Sequence, residues 1–133
     1  MKEYGTLQEI IEDVEYRYKQ SFEFYPGAPL ARAGYMLGEH LLEYPKADKY
    51  YRAYMYVCDL LAVDLIIKKD NCIYQDFIPK IEKALKAVLS HSRKMYLEPD
   101  EWPVMMEVAK RVKEKLPNIK IVPKGQEYKY FAY

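Results

Sequence analysis

Two histidines, His40 and His91, stand among groups with which they could do chemistry. His40 follows Glu39 and lies one helical turn before Glu43. A carboxylate-bridged di-metal site in a helical bundle draws on two Glu-x-x-His motifs and two further glutamates. The chain contains no Glu-x-x-His, so His40 is expected to be a surface or partly buried histidine and no metal or other cofactor is expected. His91 lies between Ser90 and Ser92. Adjacent helical residues point about 100° apart, which does not join a nucleophile to its base. No G-x-S-x-G elbow occurs, and neither does a glycine-rich loop that would cradle phosphate.

Cys58 and Cys72 stand fourteen residues apart, without a C-x-x-C spacing, so neither a zinc site nor a redox pair is indicated. Both have apolar neighbours and are expected to be buried thiols. Asp59 and Asp64 sit on the most apolar stretch of the chain. Buried carboxylates there would mark a functional site unless paired; the plainer expectation is that Asp59 meets Arg52 or a partner's base at the helix rim. No catalytic residue is assigned, and the chain is expected to be non-enzymatic.

The elements that position these groups are helical. Thr6-Leu7-Gln8-Glu9 forms a capping box ahead of a stripe of Leu7, Ile10, Ile11, Val14, Tyr18, Phe22 and Tyr25, stopped by Pro26-Gly27. A second helix is predicted from Leu30 to Tyr44, ended by Pro45. Ala31, Gly34 and Gly38 line one face of it, where small residues would admit a neighbouring backbone. A third runs from Ala47 to Lys69 and is apolar on two sides. Its broad arc holds Tyr50, Tyr51, Tyr54, Met55, Val57, Cys58, Leu61, Ala62 and Leu65; a second stripe holds Tyr56, Leu60, Val63 and Ile67. Such a helix is either central in the bundle or uses the second stripe as an interface. If one tyrosine of this cluster meets a partner, Tyr56 is the expected one.

After a break at Lys68–Asn71, a fourth helix is predicted from Gln75 to Tyr96 with Asp76 as cap, and a fifth from Asp100 as cap to near Leu116. The tail from residue 118 turns to extended patterning: Ile119 to Val122, then Tyr128-Lys129-Tyr130-Phe131-Ala132-Tyr133. The expected fold is all-α. A bundle of about five helices spans residues 1–117, with a short C-terminal extended arm or hairpin over 118–133. A two-stranded piece is marginal alone and needs its own bundle or a neighbouring subunit to lie on.

Net charge is only +1, but residues 1–45 carry four bases and eight acids, while residues 46–133 carry seventeen and twelve. The front is therefore −4 and the back +5, which suits head-to-tail contact between copies or a basic face on a polyanion. Thr occurs once, Asn twice and Gln four times, against 21 Lys and Arg, a bias shared with hyperthermophile proteins. A hot-environment archaeon, or a virus of one, is the expected source. No apolar leader core precedes the first helix and no uncharged apolar run reaches membrane-spanning length, so neither a signal peptide nor a membrane partner is expected.

Bases gather on the fourth helix as Lys80, Lys83, Lys86, Arg93 and Lys94, and on the fifth as Lys110, Arg111 and Lys113. Lysines on a helix face neutralise phosphates without reading sequence. The leading expectation is a self-associating virion coat (capsid or nucleoprotein) subunit of a hyperthermophilic archaeal virus. It would pack on copies of itself or a paralogous subunit through Tyr56, Leu60, Val63, Ile67, Tyr128, Tyr130, Phe131 and Tyr133. Its basic helix faces would contact DNA, and it would take no small-molecule substrate. The expected location is the virion or the host cytoplasm. A small helical regulatory protein is the alternative, such as a viral inhibitor of a host factor or a transcriptional accessory. Active HEPN-type helical nucleases carry an Arg four to six residues before His. Arg32 and Arg52 are both too far from the histidines that follow them, which leaves only an inactive HEPN-like protein as a second alternative.

Overall fold

The computed structural model describes residues 5–37, 49–90 and 97–123. They form, in chain order, α1 (Leu7–Phe24), α2 (Pro29–Leu37), α3 (Lys49–Lys69), β1 (Cys72–Tyr74), α4 (Ile78–Leu89), α5 (Trp102–Lys115) and β2 (Lys120–Val122). Helices account for 78% of these residues, and the two three-residue strands form the only sheet among them. A mostly helical bundle is the fold. No described helix is long and apolar enough to cross a membrane.

Local chemistry explains the ends of α1. The Thr6 hydroxyl accepts the Glu9 N–H at 3.2 Å and itself donates to the Glu9 carboxylate. This satisfies one of the orphan donors of the first turn. A second is taken from afar: Glu101, just before α5, accepts the Leu7 N–H at 2.8 Å and the Glu98 N–H at 2.9 Å. A carboxylate against the positive end of a helix is favourable there. This role displaces the predicted cap, because the start of α5 carries no side-chain cap and Asp100 is exposed. Asp76 does not cap α4 either; it lies in a 3-10 turn, Gln75–Phe77, that leads into the helix.

The helix α3 is central. It packs against α1, α2, α4, α5 and β1. Leu60 and Val63 are wholly buried and Ile67 nearly so, in the same core cluster as Val57, Cys58 and Leu61 from the other arc. The second stripe is therefore covered within the chain. Leu60, Val63 and Ile67 offer no surface to a second subunit, and Tyr56 is half-buried beside them. Gly34 does not mark a close backbone approach: a Cβ built there would meet Tyr74 at an ordinary 3.9 Å.

The described part of the tail lies on its own bundle. β2 pairs in parallel with β1 in the register Cys72 to Lys120, Ile73 to Ile121 and Tyr74 to Val122. Asn71, at φ 51°, turns the chain out of α3 into β1. Its N–H reaches the Ile66 carbonyl at 2.9 Å, and its carbonyl accepts the Lys120 N–H at 3.1 Å. Val122 is fully buried with Leu30 and Cys72 in a small second cluster. The aromatic run from Tyr128 lies outside the described residues.

Val122→Ala is expected to cost about 2 kcal/mol, two buried carbons with a small cavity. Urea denaturation at several protein concentrations checks this. A midpoint that shifts with protein concentration would mean that the strand is donated between subunits rather than laid down within one.

Candidate functional site

The residues singled out for chemistry do not converge. His40, His91 and Ser92 lie outside the described residues, and Ser90 is exposed at the end of α4. No group of three or more His, Cys, Asp or Glu that could hold a metal occurs among the described residues. Cys58 and Cys72 are free, buried thiols. Burial pushes the Cys58 thiol up to about 12 against a partly opposing hydrogen bond from Tyr54, so it stays protonated and unreactive at neutral pH. Burial raises Cys72 too, partly offset by Lys120.

Two charge clusters are built by the tertiary fold. In the first, Arg32 of α2 donates through Nη2 to Asp70, while its Nη1 donates to the Tyr25 and Pro26 carbonyls at 2.9 and 3.0 Å. The Tyr18 hydroxyl completes it, donating to the other Asp70 oxygen at 3.0 Å. The guanidinium stacks 4.4 Å over the Phe22 ring. Side-chain exposures of 5% for Arg32 and 6% for Asp70 put this ion pair in the interior. Burial, then the hydrogen bond to Asp70, raises the Tyr18 phenol well above its ordinary value. The cluster ties the end of α1, the turn after it, α2 and the end of α3 together, which is a structural role.

In the second, Arg111 of α5 grips Asp64 of α3 through Nε at 3.2 Å and Nη2 at 3.0 Å, and Lys68 adds a third contact at 3.2 Å. Asp64 is 7% exposed, whereas the side chains of Arg111 and Lys68 are 43% and 50% exposed. The hydrogen bond to Asp64 raises Arg111 further, so its charge is fixed. Cavities flank the pair on two sides: one of about 190 Å³ between α1, α3 and α5, and one of about 380 Å³ at the ends of α3 and α5. Asp59 is buried as well.

Of the other predicted phosphate contacts, Lys83 and Lys86 on α4 and Lys110 and Lys113 on α5 are exposed, and Lys80 is half-buried. Arg111 is already committed to Asp64. Arg93 and Lys94 lie outside the described residues, as do Tyr128, Tyr130, Phe131 and Tyr133.

An unforeseen surface lies where α1 meets α2. Six large apolar side chains are exposed among the described residues, and three of them, Tyr16, Phe24 and Tyr35, gather here, while Phe22 turns to Tyr18 and Arg32. Phe24 and Tyr25 lie 5.7 and 6.1 Å from Tyr35 by ring centroid. Gln20 links Tyr16 to Tyr35, donating to one hydroxyl and accepting from the other. The sequence signal was the run Phe22-Glu23-Phe24-Tyr25. The helical stripe directs Phe22 inward, but Ser21 takes the buried position at this end of α1 and leaves Phe22 43% exposed.

Fold and surfaces together define a mostly helical bundle that combines an aromatic corner with basic outer helices. Comparison with family models, with curated proteins and with solved structures finds no match.

Proposed function

We propose that this protein is a non-enzymatic structural subunit that associates with copies of itself through the aromatic corner of α1 and α2. The exposure of Tyr16, Phe24 and Tyr35 carries the reading. Exposed aromatic patches of this kind mark interaction sites, because aromatic rings bring large apolar area at low entropy cost. Charge names the occupant. α1 carries five acids and two bases, a net −3, whereas α4 and α5 each carry a net +2. An aromatic, acidic corner is complementary to a lysine-rich face, through both ion pairs and cation–π contacts.

A contact between two different faces is heterologous, and copies joined that way build rings or open filaments rather than closed dimers. That is the geometry of a coat. A virion coat subunit that meets nucleic acid through its exposed lysines is the particular assembly proposed, and the lysine-rich, amide-poor composition fits a virus of a hot-environment archaeon.

Phe24→Asp tests this. Multi-angle light scattering over a rising concentration series should show wild-type mass increasing and the variant remaining monomeric. The melting temperature should barely move, because Phe24 is 59% exposed and surface changes shift stability by no more than about 0.5 kcal/mol. A wild-type chain that stays monomeric throughout sinks the reading.

A further inference from the structure

The cavity of about 380 Å³ at the ends of α3 and α5 is lined by Asp64, Ile67, Lys68, Asn71, Arg111, Lys115 and Asn118. Three cations and one carboxylate leave an excess of two positive charges. Both helices end here, and each contributes roughly half a negative charge from its last carbonyls. The lysines of the final turns thus more than offset the helix dipoles, and about one positive charge remains. Asp64 is the one acid among the lining residues. It takes two charged hydrogen bonds from Arg111 and an ion pair from Lys68, so it holds the cations in place rather than being open to a ligand.

Two amides complete the wall. The backbone of Asn71 is held by its bonds to Ile66 and Lys120, so the main chain at this edge of the cavity is fixed. The Lys115 side chain has no ion-pair or hydrogen-bond partner among the described residues and is exposed. A concavity with one surplus positive charge, two asparagines in its lining and an apolar Ile67 at its wall matches an anion of charge −1.

We infer that this cavity is a docking point for a single phosphodiester of a nucleic-acid backbone, held by Lys68 and Lys115 with the Arg111–Asp64 pair as its rigid side. The inference rests on the proposed nucleic-acid contact and names its place. The site lies at the α3–α5 ends, not on the outer lysines of α4. A diester carries one negative charge, which the surplus balances; free inorganic phosphate carries roughly one and a half at neutral pH and balances it less well. Phosphate contacts of this kind position the strand without reading its sequence.

The test is fluorescence anisotropy with a fluorescein-labelled oligothymidylate and a random-sequence duplex, titrated at several salt concentrations. Variants are Lys115→Glu and Lys68→Gln, with Lys19→Gln on the acidic α1 as the comparison. Lys115 and Lys68 are exposed, and the Arg111–Asp64 pair survives either change, so circular dichroism should report an unaltered fold. Lys115→Glu is expected to weaken binding roughly tenfold and to lower the slope of log affinity on log salt by about 0.7–0.9, one phosphate contact. Lys19→Gln should do neither.

If wild type binds and both cavity variants bind equally well, the inference fails while the nucleic-acid reading stands. Binding of neither probe by wild type ends both. Occupation by inorganic phosphate, seen as protection against thermal unfolding that Lys115→Glu abolishes, with no binding of either oligonucleotide, makes the cavity a free-anion site and overturns the assignment.

Discussion

Asp70→Ala is expected to lower the free energy of unfolding by about 3–5 kcal/mol, the cost of leaving a buried charge without its partner. Arg32 would stay 4% exposed with two carbonyls and an aromatic face for company. None of these carries a negative charge. The Tyr18 hydroxyl would lose its acceptor in the same stroke. Burial decides the magnitude. The exposed pair Arg17 and Asp13, at 34% and 49%, belongs to the class worth about 0.3–0.5 kcal/mol. The Arg32–Asp70 pair belongs to the other regime.

For a domain of this size the loss corresponds to a fall in melting temperature of about 10–20 °C. Replacing both partners by apolar residues, Arg32→Met with Asp70→Leu, should be much milder than Asp70→Ala alone, because no orphaned charge remains. Chemical denaturation of the two single variants and the double closes the cycle. A cost below about 1 kcal/mol for Asp70→Ala would show that the pair is solvated, as exposed pairs are. The double variant also removes the one buried side-chain atom lacking a hydrogen-bond partner among the described residues, Arg32 Nε, which favours it further.

The second large effect is Leu60→Ala, expected to cost about 2–5 kcal/mol. Leu60 is wholly buried on the central helix, in the second apolar stripe. Its removal leaves a cavity among groups fixed by α1, α4 and α5, all of which pack on α3. The urea midpoint should fall while the denaturant slope stays unchanged, since the surface exposed on unfolding is nearly the same. Self-association below the melting transition should be unaffected. An assembly defect without loss of stability would instead return the stripe to the role of a contact between subunits.

Much of the fold was legible because it is local. The spacing of Leu7, Ile10, Val14 and Tyr18 repeats with the helical period, Thr6 stands where the first orphan N–H groups need an acceptor, and Pro26-Gly27 stops the run. The extended character of Ile119 to Val122 was legible too, from its β-forming composition. Its partner was not. Cys72, Ile73 and Tyr74 lie between a turn and a helix, and three residues are too few to show a period. The parallel pairing exists only because α4 and α5 bring β2 back beside β1. The capping residues Asp76 and Asp100 were misjudged for the same reason: the helix start is fixed by what packs above it, and Glu101 is recruited by the Leu7 N–H across 94 residues.

By itself, then, the sequence determined a mostly helical chain, its helix spacings, its charge polarity and the burial of its two cysteines. Periodicity states which face of a helix is apolar, and nothing about what covers it. Only the tertiary structure decided that α3 is central, so that Leu60, Val63 and Ile67 are core. It also decided which charges are strong. Arg32 and Asp70 are 38 residues apart, and Asp64 and Arg111 are 47 apart. On the sequence they resemble the solvated lysines and glutamates around them. A charge acquires its energetic weight from desolvation, and desolvation is a property of the packed molecule. The same holds for the aromatic corner: Tyr16, Phe24 and Tyr35 are ordinary core residues by type, and the fold leaves them outside.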